Sequence, residues 1–444
     1  MTIRKLLMIL SGVFMLHLSG CSTDNGETPS TSGEGIADGL VIYEANPKLF
    51  ARTAVFGAIS TRLDEIKALG TNVLWLMPIY EQGVKNAFGS PYCIKDYQKL
   101  NPAYGTLAEL RSLVDNAHSK GMKVILDWVA NHTSWDNVWM QNKSWYTQDA
   151  AGNIVSPEGA GWADVADLNY NNADMRKAML EAMKYWVNEA NIDGFRCDYA
   201  EGVPDDFWKQ AISELKALKG ESFLMLAEGS KGSLFTDGFD IVYGWNFAAK
   251  LQDVYAGKAT PADLYKVHRE EYLNVPAGKQ RLRYSTNHDQ AAEKSPIEIY
   301  KGERGAMSAF VLAATLGGTP LIYSSQELGY AQKLSFFDSP LMDWTANAAY
   351  QNEYKKVMDV YRSSVALQKG GLRTYETGGV ACYYRTSAKE NVLVMVNISN
   401  QAVTFKAPIE RAGDSVKNLM DNTVSVLPVV MTLEPYQYYI FQKQ

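Results

Sequence analysis

The sequence predicts a parallel (β/α)8 barrel of the α/β class, with a small lobe inserted after the third strand and a C-terminal antiparallel β-sandwich. Three observations lead there. From Leu40 onward, eight short β-rich runs alternate with amphipathic stretches, the pattern of repeated βαβ units. Several of those runs are apolar on both faces, as strands of a buried parallel sheet are. After about Leu367 the pattern changes to alternating strands, "GVACYYRT", "NVLVMVNIS", "AVTFKAP" and "YQYYIFQ", which reads as a separate antiparallel unit.

Each element follows in chain order. "MTIRKLLMILSGVFMLHLSGC" has a basic start and an apolar run too short to remain as a membrane span, so residues 1–20 read as an export signal. "STDNGETPSTSGEGIADG" is polar and without periodicity, so residues 21–37 read as a flexible tether. The predicted barrel covers residues 38–369. Its strands are "LVIYEA", "NVLWLMP", "MKVILDWV", "IDGFRCD", "FLMLAEG", "FDIVYG", "RLRYSTN" and "TPLIYSS". Among the helices, one opens on Ser60 and stops at Gly70, and a second opens on Thr106 and stops at Gly121. A third is "NADMRKAMLEAMKYWVNEANI". Polar openers and glycine stops match helix capping. The connection after "DWVANH" runs to about 40 residues rich in Trp, Asn, Asp and Gly; loops of that length in a compact domain are usually functional. Residues 133–168 are therefore expected to form a lobe over the barrel mouth, and residues 370–444 the C-terminal domain.

Composition narrows the function. The chain of 444 residues is 46% hydrophobic and carries a net charge of −6. It is globular, and its charge argues against a nucleic-acid partner. Beyond the first 21 residues the cysteines are Cys93, Cys197 and Cys382, an odd number without a CxxC spacing, which speaks against a disulfide framework. Cys197 alternates with Arg196 and Asp198, so it faces the other side of its strand as a small buried hydrophobe.

Reactive residues of such barrels sit at the C-terminal ends of the strands. Those ends carry Asp127, then Arg196 and Asp198, then Glu228, then His288 and Asp289, with Asn131 and His132 close behind the third strand. Arg196 and Asp198 are two apart in a strand and share one face. Carboxylates converging from several strands, with an arginine and two histidines, suit acid–base and nucleophilic chemistry better than accidental capping.

The set "DWVANH", "GFRCD", "LAEG" and "STNHD", in this order and spacing, resembles the four conserved regions of glycoside hydrolase family 13, the α-amylase family. "GSPYCIKDYQKLNPAYGT", "VADLNY" and "GTPLIYSSQELG" resemble its flanking segments, and the long connection resembles its domain B. The resemblance implies a retaining hydrolase of α-1,4-linked glucans. It implies Asp198 as nucleophile, kept ionised by Arg196, and Glu228 as acid/base, kept protonated by its apolar approach. Asp289 would be the third acid, His132 and His288 the hydroxyl-binding histidines, and Tyr92 the aromatic against the same sugar. Asn131 and Asp167 match positions that ligate structural Ca²⁺ in relatives, with a backbone carbonyl where Gly202 stands; the alternative is that both bond loop backbone. No organic cofactor is implied. "LSGC" resembles a lipoprotein signal with Cys21 as the lipidated first residue, implying an exported protein anchored to a membrane at the periplasmic face or the cell surface. Two departures stand out. Glu201 and Gly202 occupy positions where many members have Lys-His, and the acid sits in "AEGS" rather than a "GEVW"-like context. Transfer to another sugar, α-1,6 activity, and a non-catalytic glycan-binding lipoprotein are the competing readings.

Overall fold

The computed structural model describes residues 35–408 and 411–444. Its centre is a closed barrel of eight parallel strands: β1 (Ile42–Ala45), β2 (Val73–Leu76), β3 (Lys123–Val129), β4 (Gly194–Asp198), β5 (Leu224–Ala227), β6 (Ile241–Tyr243), β7 (Gln280–Arg283) and β8 (Thr319–Tyr323). Seven lie within the expected runs, and β7 starts one residue ahead of its run, at Gln280. Their two faces bury two different cores. Ile42, Trp75, Ile125, Leu226, Ile241, Tyr243, Leu282 and Leu321 fill the barrel interior. The alternate residues, among them Tyr43, Leu74, Val124, Phe195, Cys197, Met225 and Ile322, pack outward with the surrounding helices. Cys197 is on that outer side, as its alternation requires, and Cys93, Cys197 and Cys382 are buried and in no disulfide.

The helix expected from Thr106 forms as Leu107–Ser119. Thr106 and Glu109 make a capping box, each side chain taking the other's backbone N–H. The third expected helix forms as Ala173–Ala190, with Asn172 accepting from Asp174 and Met175. The helix expected to open on Ser60 is different. It starts earlier, at Val55, after a left-handed Ala54, breaks at Arg62, and resumes as Leu63–Ala68. Ser60 lies inside the first piece and caps nothing.

The long connection folds over the mouth. His132–Ser134 pairs antiparallel with Val165–Asp167, and short 3₁₀ turns lie between. A second hairpin, Tyr80–Gln82 with Ile94–Leu100, has register shifts along it and was not expected from sequence.

The C-terminal unit has two layers. Its main layer is a six-stranded sheet that includes Gly371–Thr377, Val380–Thr386, Asn391–Asn397 and Tyr438–Lys443. One face (Ala381, Tyr383, Val392, Val394, Val396, Ile440) joins the barrel's outer core. The other face (Val380, Cys382, Leu393, Met395) is covered by Phe405 and Leu433 of the two-stranded sheet Val403–Lys406/Val430–Leu433. Tyr265 locks the units together, its hydroxyl donating to the Cys382 carbonyl at 3.2 Å and accepting from the Cys382 N–H at 2.7 Å. No described helix is long and apolar enough to cross a membrane.

Candidate active site

Strand register builds the centre of the site. Parallel pairing of β3 with β4 sets Asp127 opposite Arg196 and Val129 opposite Asp198. Arg196 is fully buried and Asp198 nearly so. Arg196 Nη1 donates to Asp127 Oδ1 at 2.8 Å and to Asp198 Oδ1 at 2.9 Å. Its Nη2 lies 3.0 Å from Glu228 Oε2. One guanidinium thus serves three carboxyl groups, using the planar fork that lysine lacks. Its carbon also lies 5.0 Å from the Trp75 ring centroid.

Burial and charge act against each other on these carboxyls. Burial pushes Asp198 up to about 6, with Arg196 pulling it back and Asp127 and Asp289 adding to the rise. Arg196 acts in the expected direction, toward the ionised form, against a desolvation that is the larger effect. Glu228 is pushed up to about 7 by burial and by Asp198 and Asp289, against Arg196. Its Oε2 accepts the Tyr199 N–H at 2.7 Å, which leaves the second oxygen to carry a transferable proton. Both carboxyls therefore hold a proton to higher pH than ordinary carboxylates do, with Arg196 opposing the rise in each.

Around them opens a cavity of about 480 Å³, lined by Tyr92, His132, Asp198, Glu228, His288, Asp289 and several aromatic residues. These six come from five strand ends or loops, His288 and Asp289 sharing one short helix, and each was expected at the site. His132 is buried and pulled down to about 4 by burial, so it meets a ligand as a neutral ring. The Tyr92 hydroxyl donates to Asp127 Oδ2 at 3.1 Å, and its ring stacks on His288 at 5.5 Å. Asp289 follows Asn287, whose side chain caps the short helix His288–Glu293, and its Oδ1 is 3.3 Å from His288 Nε2.

Other lining residues were not foreseen. Trp162, Tyr199, Trp245, Phe336 and Phe337 also line the cavity. Trp162 packs edge-on against Tyr199 at 5.2 Å, and Phe336 against Tyr92 at 5.9 Å. The many aromatics of the sequence were visible, but which reach the mouth depends on loop paths. Asp127 was seen as a strand-end carboxylate. It lies deeper, fully buried, under Trp75 Nε1 at 3.1 Å and the Tyr92 hydroxyl.

Glu201 and Gly202, the first departure from the family pattern, each have a local reason. Glu201 Oε1 accepts the backbone N–H groups of Ser230 and Lys231, tying the turn after β4 to the loop that follows Glu228. Gly202 has no room for a side chain, because a Cβ there would fall 2.4 Å from Asn131 Oδ1 and from the Tyr199 ring.

Asn131 and Asp167 meet at the seam between barrel and lobe. The Leu168 N–H donates to the Asn131 carbonyl at 3.2 Å, and Asp167 pairs with His132 in the hairpin register. Burial raises Asp167. No cluster of three His, Cys, Asp or Glu suited to a metal occurs among the described residues, so the oxygens on offer are one amide, one carboxylate and the adjacent backbone.

Two buried carboxyls held by one arginine at the C-terminal mouth of a (β/α)8 barrel are the arrangement of a glycoside hydrolase. The chain belongs to the α-amylase family: the family described as alpha amylase, catalytic domain, matches residues 52–152 and 160–370, and that described as maltogenic amylase, C-terminal domain, matches 373–440. It is 26% identical over 452 residues to α-amylase MalA of Haloarcula japonica, covering 91% of this chain and 66% of that relative's length. Among solved structures, an α-amylase from Lactobacillus plantarum superposes with a TM-score of 0.83 at 27% identity, covering 91% of this chain and 99% of that one. A maltogenic α-amylase from Thermotoga neapolitana gives 0.81 at 26%, covering 91% and 98%.

Proposed function

We propose that this chain hydrolyses α-1,4-glucosidic bonds of starch, glycogen or maltooligosaccharides through a covalent glycosyl-enzyme intermediate. The observation that carries the reading is the Arg196 fork, with Asp198 at about 6 and Glu228 at about 7 on either arm. In the first step Glu228 gives its proton to the glycosidic oxygen while Asp198 attacks the anomeric carbon. The leaving sugar departs and an ester to Asp198 remains. In the second step Glu228, now a carboxylate, takes a proton from water as the water attacks the same carbon and the ester bond to Asp198 breaks, which restores the Asp198 carboxylate and the Glu228 acid. Two inversions give net retention. Asp289, His132 and His288 bind hydroxyls of the sugar at the cleavage point, and Tyr92 forms the wall against its ring. The test is proton NMR of the first product from maltooligosaccharide: the α-anomer should appear before mutarotation, and an initial β-anomer would rule out Asp198 as nucleophile.

A structural Ca²⁺ is proposed at the lobe seam. Its ligands would be Asn131 Oδ1, the Asp167 carboxylate and the Gly202 carbonyl, oxygens of the kind hard cations take. Two features support the fit: Asn131 Oδ1 lies against Gly202, and no lysine or arginine pairs with Asp167 among the described ion pairs. A cation bound only by the folded state adds about 2.7 kcal/mol at a free concentration about 100-fold above its Kd. Excess chelator should then lower the wild-type Tm by a few degrees and barely move that of Asp167→Ala. Equal melting curves with and without chelator, and no calcium by elemental analysis, would leave Asn131 and Asp167 as backbone-bonding residues.

Cys21 lies outside the described residues. We propose that it carries the lipid that holds the enzyme at a membrane, through the polar tether that follows it. Cys21→Ser should move the protein from the membrane fraction to the soluble one with activity intact. A variant that stays with the membrane points to another anchor.

A further inference from the structure

One buried carboxylate near the site has no part in the steps above. Glu44 sits in β1, opposite Trp75 of β2 and Tyr323 of β8, and is fully buried. Its Oε1 meets His288 Nδ1 in a short ion pair. The other ring nitrogen, Nε2, lies 2.9 Å from the Tyr92 hydroxyl and 3.3 Å from Asp289 Oδ1. We infer that Glu44 is a positioning residue for the glycosidic reaction: its carboxylate holds the His288 ring doubly protonated, so that Nδ1–H is spent on Glu44 and Nε2–H is presented to the cavity. This rests on the hydrolase reading for its kinetic consequence, but not for the protonation state itself.

The direction of the hydrogen bonds argues for it. The Tyr92 hydroxyl has one proton and gives it to Asp127 Oδ2 at 3.1 Å. Its oxygen is then left to accept, and Nε2 is the donor within reach. Asp289 Oδ1 on the same side is an acceptor as well. A ring protonated only at Nδ1 would turn a lone pair toward Asp289 and force Tyr92 to abandon Asp127. A ring protonated only at Nε2 would face Glu44 with a lone pair. With Glu44 ionised, only the imidazolium donates to both Glu44 and Tyr92, and it sets its charge 3.3 Å from Asp289 Oδ1.

The charges around the ring agree. The groups facing it are Glu44 from β1, Asp127 from β3, Arg196 from β4, Tyr92 from the loop before β3, and Asp289 on its own helix. Burial pulls His288 down, but Asp289 and Glu44 outweigh both it and Arg196, and the ring is raised to about 9. Glu44 itself is raised by burial and pulled back by His288. The second Glu44 oxygen has no hydrogen-bond partner, so the His288 ring, with a smaller contribution from the Arg196 charge, compensates the burial of this carboxylate.

Glu44→Gln separates charge from shape, since the amide oxygen can still accept from Nδ1. The ring titration, followed by NMR and assigned by its absence in His288→Asn, should drop by about two units or more in Glu44→Gln. On maltooligosaccharide, kcat/KM should fall little at about pH 5 and by about tenfold or more at about pH 8, where the ring has lost its proton. A loss equal at every pH, or an unchanged ring titration, would overturn the inference. Wild-type protein supplies a check that needs no variant: a His288 ring titrating at or below the ordinary value of about 6.5 also overturns it. The titration holds whether or not glucans are the substrate, so failure of the hydrolase reading would appear separately, as absent wild-type turnover.

Discussion

Asp198→Asn should lower kcat on maltooligosaccharides by about 10⁴-fold or more, with the protein still folded. An amide has no anionic oxygen to form the glycosyl ester, so the double-displacement route closes. The remaining site keeps its positioning groups and the Glu228 proton, but these serve a reaction that no longer has a nucleophile. A 10⁴-fold loss is about 5 kcal/mol of barrier. Stability should change little in comparison. Asparagine fills the same volume, and its amide oxygen can still accept from Arg196 Nη1, which in turn keeps Asp127 at 2.8 Å and Glu228 at 3.0 Å. Removing a carboxylate pushed up by burial also removes a desolvation cost. Initial rates and thermal melts measure the two sides. Turnover within about tenfold of wild type, in protein that melts normally, would reject the nucleophile assignment.

How much of this was legible without coordinates differs by element. Several barrel strands were readable because both of their faces are buried, which leaves continuous apolar runs that few other structures produce; Gln280–Arg283 is buried as well but has one apolar residue among four and leaves no such run. The helix at Leu107–Ser119 was readable because Thr106 and Glu109 spell its start. The break at Arg62 was not, since nothing in "FGAISTRLDEIKALG" violates helical periodicity there. The hairpin at Tyr80–Gln82 was hidden by its shortness and by bulges that spoil alternation. In the C-terminal unit, Gly371–Thr377, Ser415–Asn418, Val424–Val426 and Val430–Leu433 were missed; Val424–Val426 is exposed throughout and so shows no buried face.

The site followed the same logic. Residues on motif-bearing strand ends could be named, because strand direction fixes where they point. The loop aromatics could not, because their partners come from distant loops; Trp162 and Tyr199 meet across the mouth. Glu44 carried a signal that went unused. It is a lone carboxylate within an otherwise apolar strand, "LVIYEA", and a charge in such a place must find a partner when the barrel closes.

Glu228→Gln should lower kcat on maltooligosaccharides by about 10³-fold, and the size of the loss should depend on the leaving group. The glutamine keeps the oxygen that accepts the Tyr199 N–H, at 2.7 Å in the wild type, so the loop geometry survives. What disappears is the proton. A sugar leaving group needs that proton, whereas fluoride leaves without one. On α-maltosyl fluoride the first step should therefore recover much of its rate. The second step still lacks a base, so the glycosyl ester on Asp198 should accumulate and be visible as an added glycosyl mass. The pH dependence carries a second signature. Wild-type kcat/KM should be bell-shaped, falling at acid pH as Asp198 takes up a proton near 6 and at alkaline pH as Glu228 loses its own near 7. A group with a raised value gives up its proton later than usual, so protonated Glu228 is available up to neutrality and lost above it. In Glu228→Gln the alkaline fall assigned to Glu228 should vanish while the acid fall remains. Equal losses on the fluoride and the oligosaccharide, with the alkaline limb retained, would place the acid/base elsewhere and reduce Glu228 to a partner of Arg196.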